Sequence, residues 1–86
     1  MKRIAILAAL TLVSPLSAFA MPAVGDVVGT NPKDATAALE KVGCSVRAFE
    51  AEDGMIEAKC TDQSNKMWEI YIDPASGAVK KISGKD

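Results

Sequence analysis

The segment from Trp68 to Ile82 constrains the fold of this 86-residue chain more than any other part of the sequence. Between Trp68 and Asp73, large apolar and polar side chains alternate with the period of a β-strand that is buried on one face. Pro74 and Gly77 then supply residues typical of a tight turn, and a second run of β-forming residues continues to Ile82. The segment therefore predicts two antiparallel strands, and it indicates a small sheet domain rather than an active site.

The start of the chain has the three parts of a secretory signal peptide. Lys2 and Arg3 precede an apolar run from Ile4 to Val13, and a stretch of small residues ending at Ala20 follows. We therefore expect a signal peptide at 1–20, cleavage after Ala20 and a periplasmic protein, with secretion as the alternative. The apolar run is shorter than the roughly 20 residues of a membrane span, so no span is expected after cleavage.

The charge of the remaining chain argues against nucleic acid as a partner. Removal of residues 1–20 leaves 66 residues and takes Lys2 and Arg3 from the ten basic residues, so that eight basic side chains face eleven acidic ones. Nucleic-acid binding requires clustered Lys and Arg, which a chain with a net charge of about −3 does not offer. A domain this small buries only about 60% of its unfolded surface, so an added restraint would help it to fold.

Cys44 and Cys60 are the two cysteines of the chain, and they are the expected restraint. An exported protein with an even number of thiols normally oxidises them, and such a disulfide would stabilise the fold by roughly 3 kcal/mol. A zinc site is disfavoured because two Cys and no His fall short of four ligands. A redox pair is disfavoured because there is no Cys-x-x-Cys motif. We therefore expect a disulfide, no metal and no cofactor.

The rest of the chain predicts one helix and two further strands. Residues 21–30 show no clear period and are interpreted as a flexible lead-in. Asn31 suits the cap of a helix from Pro32 to Val42, whose apolar residues form one stripe. The predicted fold class is α+β, with the helix packed on a four-stranded antiparallel meander sheet. The domain is expected over 31–83, followed by a tail at 84–86.

Two registers are available to the first two strands. Pairs whose residue numbers sum to 104 place Cys44 opposite Cys60 and Arg47 opposite Glu57. A two-residue turn at Asp53-Gly54 would instead require a sum of 107 and would turn one strand over. We prefer the first register, because it allows the disulfide to form, places the apolar residues on one face and gives Arg47 an ion pair with Glu57.

The face of the sheet away from the helix is a candidate surface for protein binding. Between the second and third strands a sum of 128 pairs Lys59 with Glu69 on this face. The candidate face carries four large apolar residues, Phe49, Met55, Met67 and Tyr71. Met and aromatic groups surrounded by charge suit contact surfaces, although scattered exposed apolar residues are also ordinary. Both interpretations therefore stay open at this point.

The order of helix and meander resembles the PepSY family, small modules found in propeptides of secreted metalloproteases and as stand-alone exported bacterial proteins. The resemblance is carried above all by an aromatic residue, an acid, alternating β-formers and a turn: Trp68, Glu69, Ile70, Tyr71, Ile72, Asp73, Pro74, Gly77 and Val79. It implies a non-catalytic module that binds or inhibits a protease or another exported protein. The alternative is an envelope accessory protein that binds a small ligand between helix and sheet.

The composition argues against an enzyme. Because the chain has no His, no side chain has an unperturbed pKa near neutrality for general acid–base work. A nucleophilic Ser or Cys would also lack its usual base. The neighbouring acids Glu52 and Asp53, like Glu69 and Asp73, are interpreted as charged surface. We therefore predict a protein that is not an enzyme, and the sequence leaves its partner and its oligomeric state open.

Overall fold

The computed structural model describes residues 21–85 of the chain. One helix is followed by four strands: α1 (Pro32–Lys41), β1 (Ser45–Glu52), β2 (Met55–Thr61), β3 (Met67–Ile72) and β4 (Val79–Lys85). The strands are hydrogen-bonded in chain order, and every pair is antiparallel. The predicted α+β fold with one helix and a four-stranded meander is therefore confirmed. The signal peptide expected at 1–20 lies outside the described residues, and β4 includes part of the expected tail at 84–86.

Helix α1 begins at the predicted cap. The side-chain oxygen of Asn31 accepts a hydrogen bond from the backbone N–H of Asp34 at 2.9 Å, and its amide donates another to the Asp34 carboxylate at 2.9 Å. Ala35 and Leu39 are the buried residues of the helix, in agreement with the predicted apolar stripe. The helix ends one residue before the predicted Val42, which is its C-cap. The local sequence therefore defines both ends of the helix and the face that packs on the sheet.

Strands β2 and β3 pair in the predicted register. Lys59 lies opposite Glu69, and Cys60 lies opposite Trp68. The even-numbered residues of both strands consequently share the face under α1, where Ile70 is fully buried. The alternation of side chains was sufficient to predict this register, because neither strand contains a bulge along the pair.

The preferred register between β1 and β2 is wrong, and the register with a sum of 107 is observed over most of the pair. Glu52 lies opposite Met55, as a two-residue hairpin requires. Asp53 and Gly54 both adopt positive φ, 51° and 78°. Positive φ at both positions is typical of the turn whose twist matches that of the flanking strands. The turn therefore determines the register of this hairpin.

A β-bulge at Arg47 then changes which residues of β1 face the helix. The register shifts between Val46 and Ala48, so the inward-facing positions change from even-numbered to odd-numbered residues. Phe49 lies opposite the fully buried Ala58 and packs against the core. The preferred register of β1, with a sum of 104, would have placed Phe49 on the outer face, and this face assignment therefore fails beyond the bulge.

The core lies between α1 and the sheet, and the disulfide is part of it. Its buried apolar members are Val28, Ala35, Leu39, Cys44, Ala58, Cys60, Ile70, Ile72 and Val79. Cys44 and Cys60 pair as expected, with their Cα atoms 5.3 Å apart. Cys44 precedes β1, and its backbone N–H donates to the carbonyl of Leu39 at 2.9 Å. The disulfide therefore ties the end of α1 to β2.

The segment 21–30, expected as a lead-in to the domain, lies along the start of β4. The backbone N–H of Gly25 donates to the carbonyl of Val79 at 2.8 Å, and that of Val28 donates to the carbonyl of Gly77 at 2.8 Å. Val28 is itself a member of the core. The sequence showed no sign of this attachment, because the partners lie far along the chain and the segment has no strand period of its own.

Candidate functional site

The sheet has an inner face, which α1 covers, and an outer face, on which no helix packs within residues 21–85. Directly opposite residues of antiparallel strands share a face, so the register assigns each side chain to one of the two. Two rows cross the middle of the outer face from β1 to β4: Glu50, Glu57, Tyr71 and Lys81, then Ala48, Lys59, Glu69 and Ser83. This outer face is the candidate functional site.

The outer face carries three of the four predicted contact residues. Met55 and Met67 lie two positions from Glu57 and Glu69 along their strands and therefore project on the same side, together with Tyr71. All three contact residues are half-buried. Phe49 is on the inner face, and its predicted place among the contact residues is corrected here. The hairpin turn and the bulge at Arg47 together turn this part of β1 over.

Glu57 lies at the centre of the outer face, yet only 2% of its surface is exposed. Its direct neighbours across the strands are Glu50 and Tyr71. In its protonated form, this carboxyl group can donate a hydrogen bond to the carboxylate of Glu69 or Glu52. Burial, followed by these hydrogen bonds and the repulsion between the acids, raises the pKa of Glu57 from 4.5 to about 7. A carboxyl group that ordinarily ionises in acid therefore exchanges its proton near neutrality.

Tyr71 crosses the outer face beside this carboxyl group. Its hydroxyl donates to Oε1 of Glu69 at 3.2 Å, and Nζ of Lys81 lies 5.2 Å from the centroid of its ring. Burial and the charges of Glu52, Glu57 and Glu69 raise the pKa of Tyr71 to about 12. The hydroxyl consequently stays protonated near neutral pH and acts as a hydrogen-bond donor within the acidic group.

The basic side chains of β1 and β2 have hydrogen-bond partners other than Glu57. Nζ of Lys59 lies 3.1 Å from Oε2 of Glu50, and this hydrogen bond is the main reason that the pKa of Lys59 is raised. Arg47 was predicted to lie opposite Glu57. The bulge instead places Arg47 where its Nε donates to Oγ1 of Thr61 at 3.3 Å. The hydrogen bonds of Glu57 are therefore made to other acids and not to the predicted arginine.

The motif residues from 68 to 79 build the framework of both faces. Those that face inward are Trp68, Ile70 and Ile72, and those that face outward are Glu69 and Tyr71. Asp73 organises the turn that follows: its carboxylate accepts the backbone N–H of Ala75 at 2.8 Å, and its carbonyl accepts that of Gly77 at 2.7 Å. Pro74 lies in this turn, and the buried Val79 begins β4. The motif therefore specifies a hairpin with two distinct faces.

A small apolar slot opens between the start of α1 and the inner face. Its volume is about 90 Å³, and it is lined by Gly29, Thr30, Asn31, Pro32, Ala35, Phe49, Ile56, Ile72 and Pro74. An engineered apolar cavity of about 150 Å³ holds benzene, so a slot of this size accommodates no more than a short aliphatic group. The slot is the place that the small-ligand alternative requires, but it is too small for a cofactor.

The site that sequence reasoning missed is the buried carboxyl group of Glu57. The Asp53-Gly54 turn was the signal that could have revealed it, because the hairpin register places Glu57 opposite Glu50 and so among acidic residues. Within residues 21–85, no group of three or more His, Cys, Asp or Glu side chains is arranged to hold a metal ion. No helix in that part of the chain has the length and apolar composition to cross a membrane.

One helix on one face of a four-stranded antiparallel sheet, with an open outer face, defines a small α+β module. The family model of the peptidase propeptide and YPEB domain, PepSY_2, matches residues 3–83. The chain therefore belongs to this family, and the resemblance seen in the sequence is confirmed. Domains of the family are typically non-catalytic modules of the propeptide or inhibitor type. Among curated proteins and among solved structures, no significant match to the chain was found.

Proposed function

We propose that this protein is an exported, non-catalytic module that binds and restrains a peptidase through the outer face of its sheet. The main support is that Met55, Met67 and Tyr71 lie together on the sheet face against which no helix packs in residues 21–85. Family membership supports the class of partner, because domains of this family generally bind or regulate peptidases. The signal-peptide features at 1–20 support a periplasmic location.

The chemistry of the outer face suits contact better than catalysis. Met and aromatic residues are enriched in the cores of protein interfaces, with polar groups at the rim. Glu57 has the pKa near neutrality that a general acid needs, but it is 2% exposed and lies beneath neighbouring side chains. Tyr71 keeps its proton, and the chain has no His. The group with a suitable pKa is thus covered, whereas the apolar groups around it are half-buried and keep part of their surface accessible.

Inhibition by the intact exported protein, measured against purified peptidases of the same envelope, tests this proposal. The double variant Met55→Ser with Met67→Ser removes apolar contact area from the outer face. We expect it to weaken binding at least tenfold, about 1.4 kcal/mol, for the peptidase that the parent protein inhibits. A matched control, Lys33→Ser with Ala37→Ser, changes exposed residues of α1 and should leave binding unchanged.

Two results would contradict the proposal. If no exported peptidase is bound or inhibited at micromolar concentrations, the class of partner is wrong. If a peptidase is bound but the Met55 and Met67 variant binds as tightly as the parent, the outer face is not the contact surface. Melting curves of both double variants show whether a loss of binding comes from a loss of folding.

The slot beside α1 supports a second candidate function, the binding of a short aliphatic ligand by an envelope accessory protein. Methyl NMR signals of Ile56 and Ile72, which line the slot, report on its occupancy. With isobutanol as the probe, this candidate predicts saturable shifts of both residues at millimolar concentration. Shifts that grow linearly, or that appear equally at Ile70 in the core, would contradict it.

A further inference from the structure

We propose that Glu57 is a pH-sensitive switch of the outer face. When Glu57 carries a proton, its carboxyl group donates a hydrogen bond to the carboxylate of Glu69 or Glu52 and stays covered beside Tyr71. Without the proton, the three carboxylates repel one another, and the side chains that cover Glu57 move apart. The prediction that partner binding depends on pH rests on the function proposed above, whereas the switch itself does not.

The burial of Glu57 is the first observation behind this inference. No helix packs on the outer face within residues 21–85, so the side chains that reduce the exposure of Glu57 to 2% belong to the sheet and its turns. A shallow groove runs beside it, lined by Glu52, Asp53, Met55, Tyr71 and Lys81. A cover made of side chains can rearrange without any change in strand pairing. The switch would therefore alter the surface and not the fold.

The charges that face Glu57 are the second observation. The acidic side chains are Glu50 and Glu52 on β1 and Glu69 on β3. Tyr71 on β3 also faces Glu57, with a neutral phenol. The basic ones are Lys59 on β2 and Lys81 on β4. Lys59 is held by Glu50 at 3.1 Å, and Lys81 lies 5.2 Å from the ring centroid of Tyr71. Acidic groups therefore dominate the surroundings of this carboxyl group.

Hydrogen-bond chemistry links these observations to pH. An ionised carboxylate only accepts hydrogen bonds, so at least one proton must remain among Glu52, Glu57 and Glu69 for any bond between them to exist. Glu57 is the buried member, and burial disfavours its charged form most strongly. Because like charges at short range repel, loss of that proton replaces attraction with repulsion. Ionisation thus acts directly on the side chains around Tyr71 and Met55.

Side-chain NMR of the intact exported protein between pH 4 and pH 9 tests the switch. We expect the carboxyl carbon of Glu57 to titrate with a midpoint near 7 in place of its ordinary 4.5. The ring signals of Tyr71 and the methyl signal of Met55 should shift with the same midpoint. Glu69→Gln should lower the midpoint, while Glu40→Gln, which changes an exposed residue of α1 on the other side of the sheet, serves as the matched control. A Glu57 midpoint below 5, or unchanged Tyr71 and Met55 signals, would overturn the proposal.

Glu57→Gln separates the switch from the proposed function. A permanently neutral side chain should abolish the pH dependence of the Tyr71 and Met55 signals and of any peptidase binding. If the parent protein shows the titration but binds no peptidase at any pH, the switch stands and the proposed function fails. If it binds equally well at pH 5.5 and 8.5 and lacks the titration, the function stands and the switch fails. If Glu57→Gln does not fold, the titrations of the parent protein and of Glu69→Gln still test whether the switch exists.

Discussion

The indole N–H of Trp68 donates a 2.9 Å hydrogen bond to Oδ2 of Asp62, which joins β3 to the turn that precedes it. The other oxygen of Asp62 accepts the backbone N–H groups of Ser64 at 2.8 Å and Lys66 at 2.9 Å. The bond from Trp68 is the main cause that lowers the pKa of Asp62. One carboxylate therefore organises the turn and orients the ring that packs against the core.

Replacing Trp68 by Phe should remove this hydrogen bond while keeping an aromatic ring on the inner face. We expect the melting temperature to fall by about 4–8 °C more in the parent protein than in an Asp62→Ala background, where the acceptor is already absent. Thermal unfolding of the parent, both single variants and the double variant measures this difference. Equal losses in the two backgrounds would show that the bond contributes nothing to stability.

The observed register of β1 predicts different roles for two adjacent residues. Phe49→Ala should lower the free energy of unfolding by about 3 kcal/mol, the low end for a Phe truncation, because the ring is half-buried on the inner face. Ala48→Ser should change it by less than about 0.5 kcal/mol, because Ala48 is exposed. Urea unfolding compares the two variants. The alternative register with a sum of 104 requires the opposite order of effects.

The disulfide is expected to contribute a large part of the stability of this small domain. Cys44 and Cys60 are 16 positions apart, and a loop of that length corresponds to roughly 3 kcal/mol in the chain-entropy account. Unfolding with and without a reductant should therefore differ by about that amount in the parent protein. The variant with Cys44→Ala and Cys60→Ala should unfold like the reduced parent and should not respond to reductant. A response in that variant would show that the reductant acts elsewhere.

Replacing either of two glycines that have similar φ by Ala distinguishes the cost of backbone strain from the cost of a steric clash. Gly77 and Gly54 have φ of 77° and 78°, so an Ala at either position costs about 1–2 kcal/mol of backbone strain. A Cβ at Gly77 would also lie 2.8 Å from the backbone of Gly29, whereas one at Gly54 meets nothing within 4 Å. Gly77→Ala should therefore be the more destabilising and should expose the amides of Gly25 and Val28 to hydrogen exchange. Equal effects would contradict the close packing of the N-terminal segment.

The pH dependence of stability follows from groups whose pKa values shift in opposite directions. The pKa of Glu57 is raised to about 7, so its contribution to stability is fully present below 4.5 and is lost as the pH rises through 7. The pKa values of Asp62 and Asp73 are lowered from 3.8, so their contributions are present above that pH and are lost in stronger acid. The melting temperature should therefore decline from pH 5 to pH 8. Glu57→Gln should remove that decline, and an unchanged slope in this variant would contradict the assignment to Glu57.

Several features could be predicted from sequence because their causes are local. The Asn31 cap depends on residues within one helical turn, and the side chains from Trp68 to Ile72 alternate without interruption. The Asp73 turn is closed by hydrogen bonds to residues within its own loop. The pairing of Cys44 with Cys60 could be predicted because these are the two cysteines of the chain. These features are specified by short-range sterics, hydrogen bonds and composition.

The candidate site was harder to predict because it depends on the register of β1. The preferred register of β1 with β2, in which paired residue numbers sum to 104, placed Phe49 on the contact surface and paired Glu57 with Arg47. Both expectations were wrong. A bulge shifts a register by one residue and so moves each following side chain to the other face. Nothing in the residues around Arg47 marks the bulge, although the Asp53-Gly54 turn was a correct local signal.

The sequence by itself determined the fold class, the family motif and the register of β2 with β3, because periodicity and turn chemistry act over a few residues. Only the tertiary structure decided that Val28 joins the core, that Phe49 faces the helix and that Glu57 is buried among acids. Each of these depends on contacts between strands that are separated along the chain. The free energy of such contacts depends on the three-dimensional neighbours of a residue and is not encoded in its local pattern.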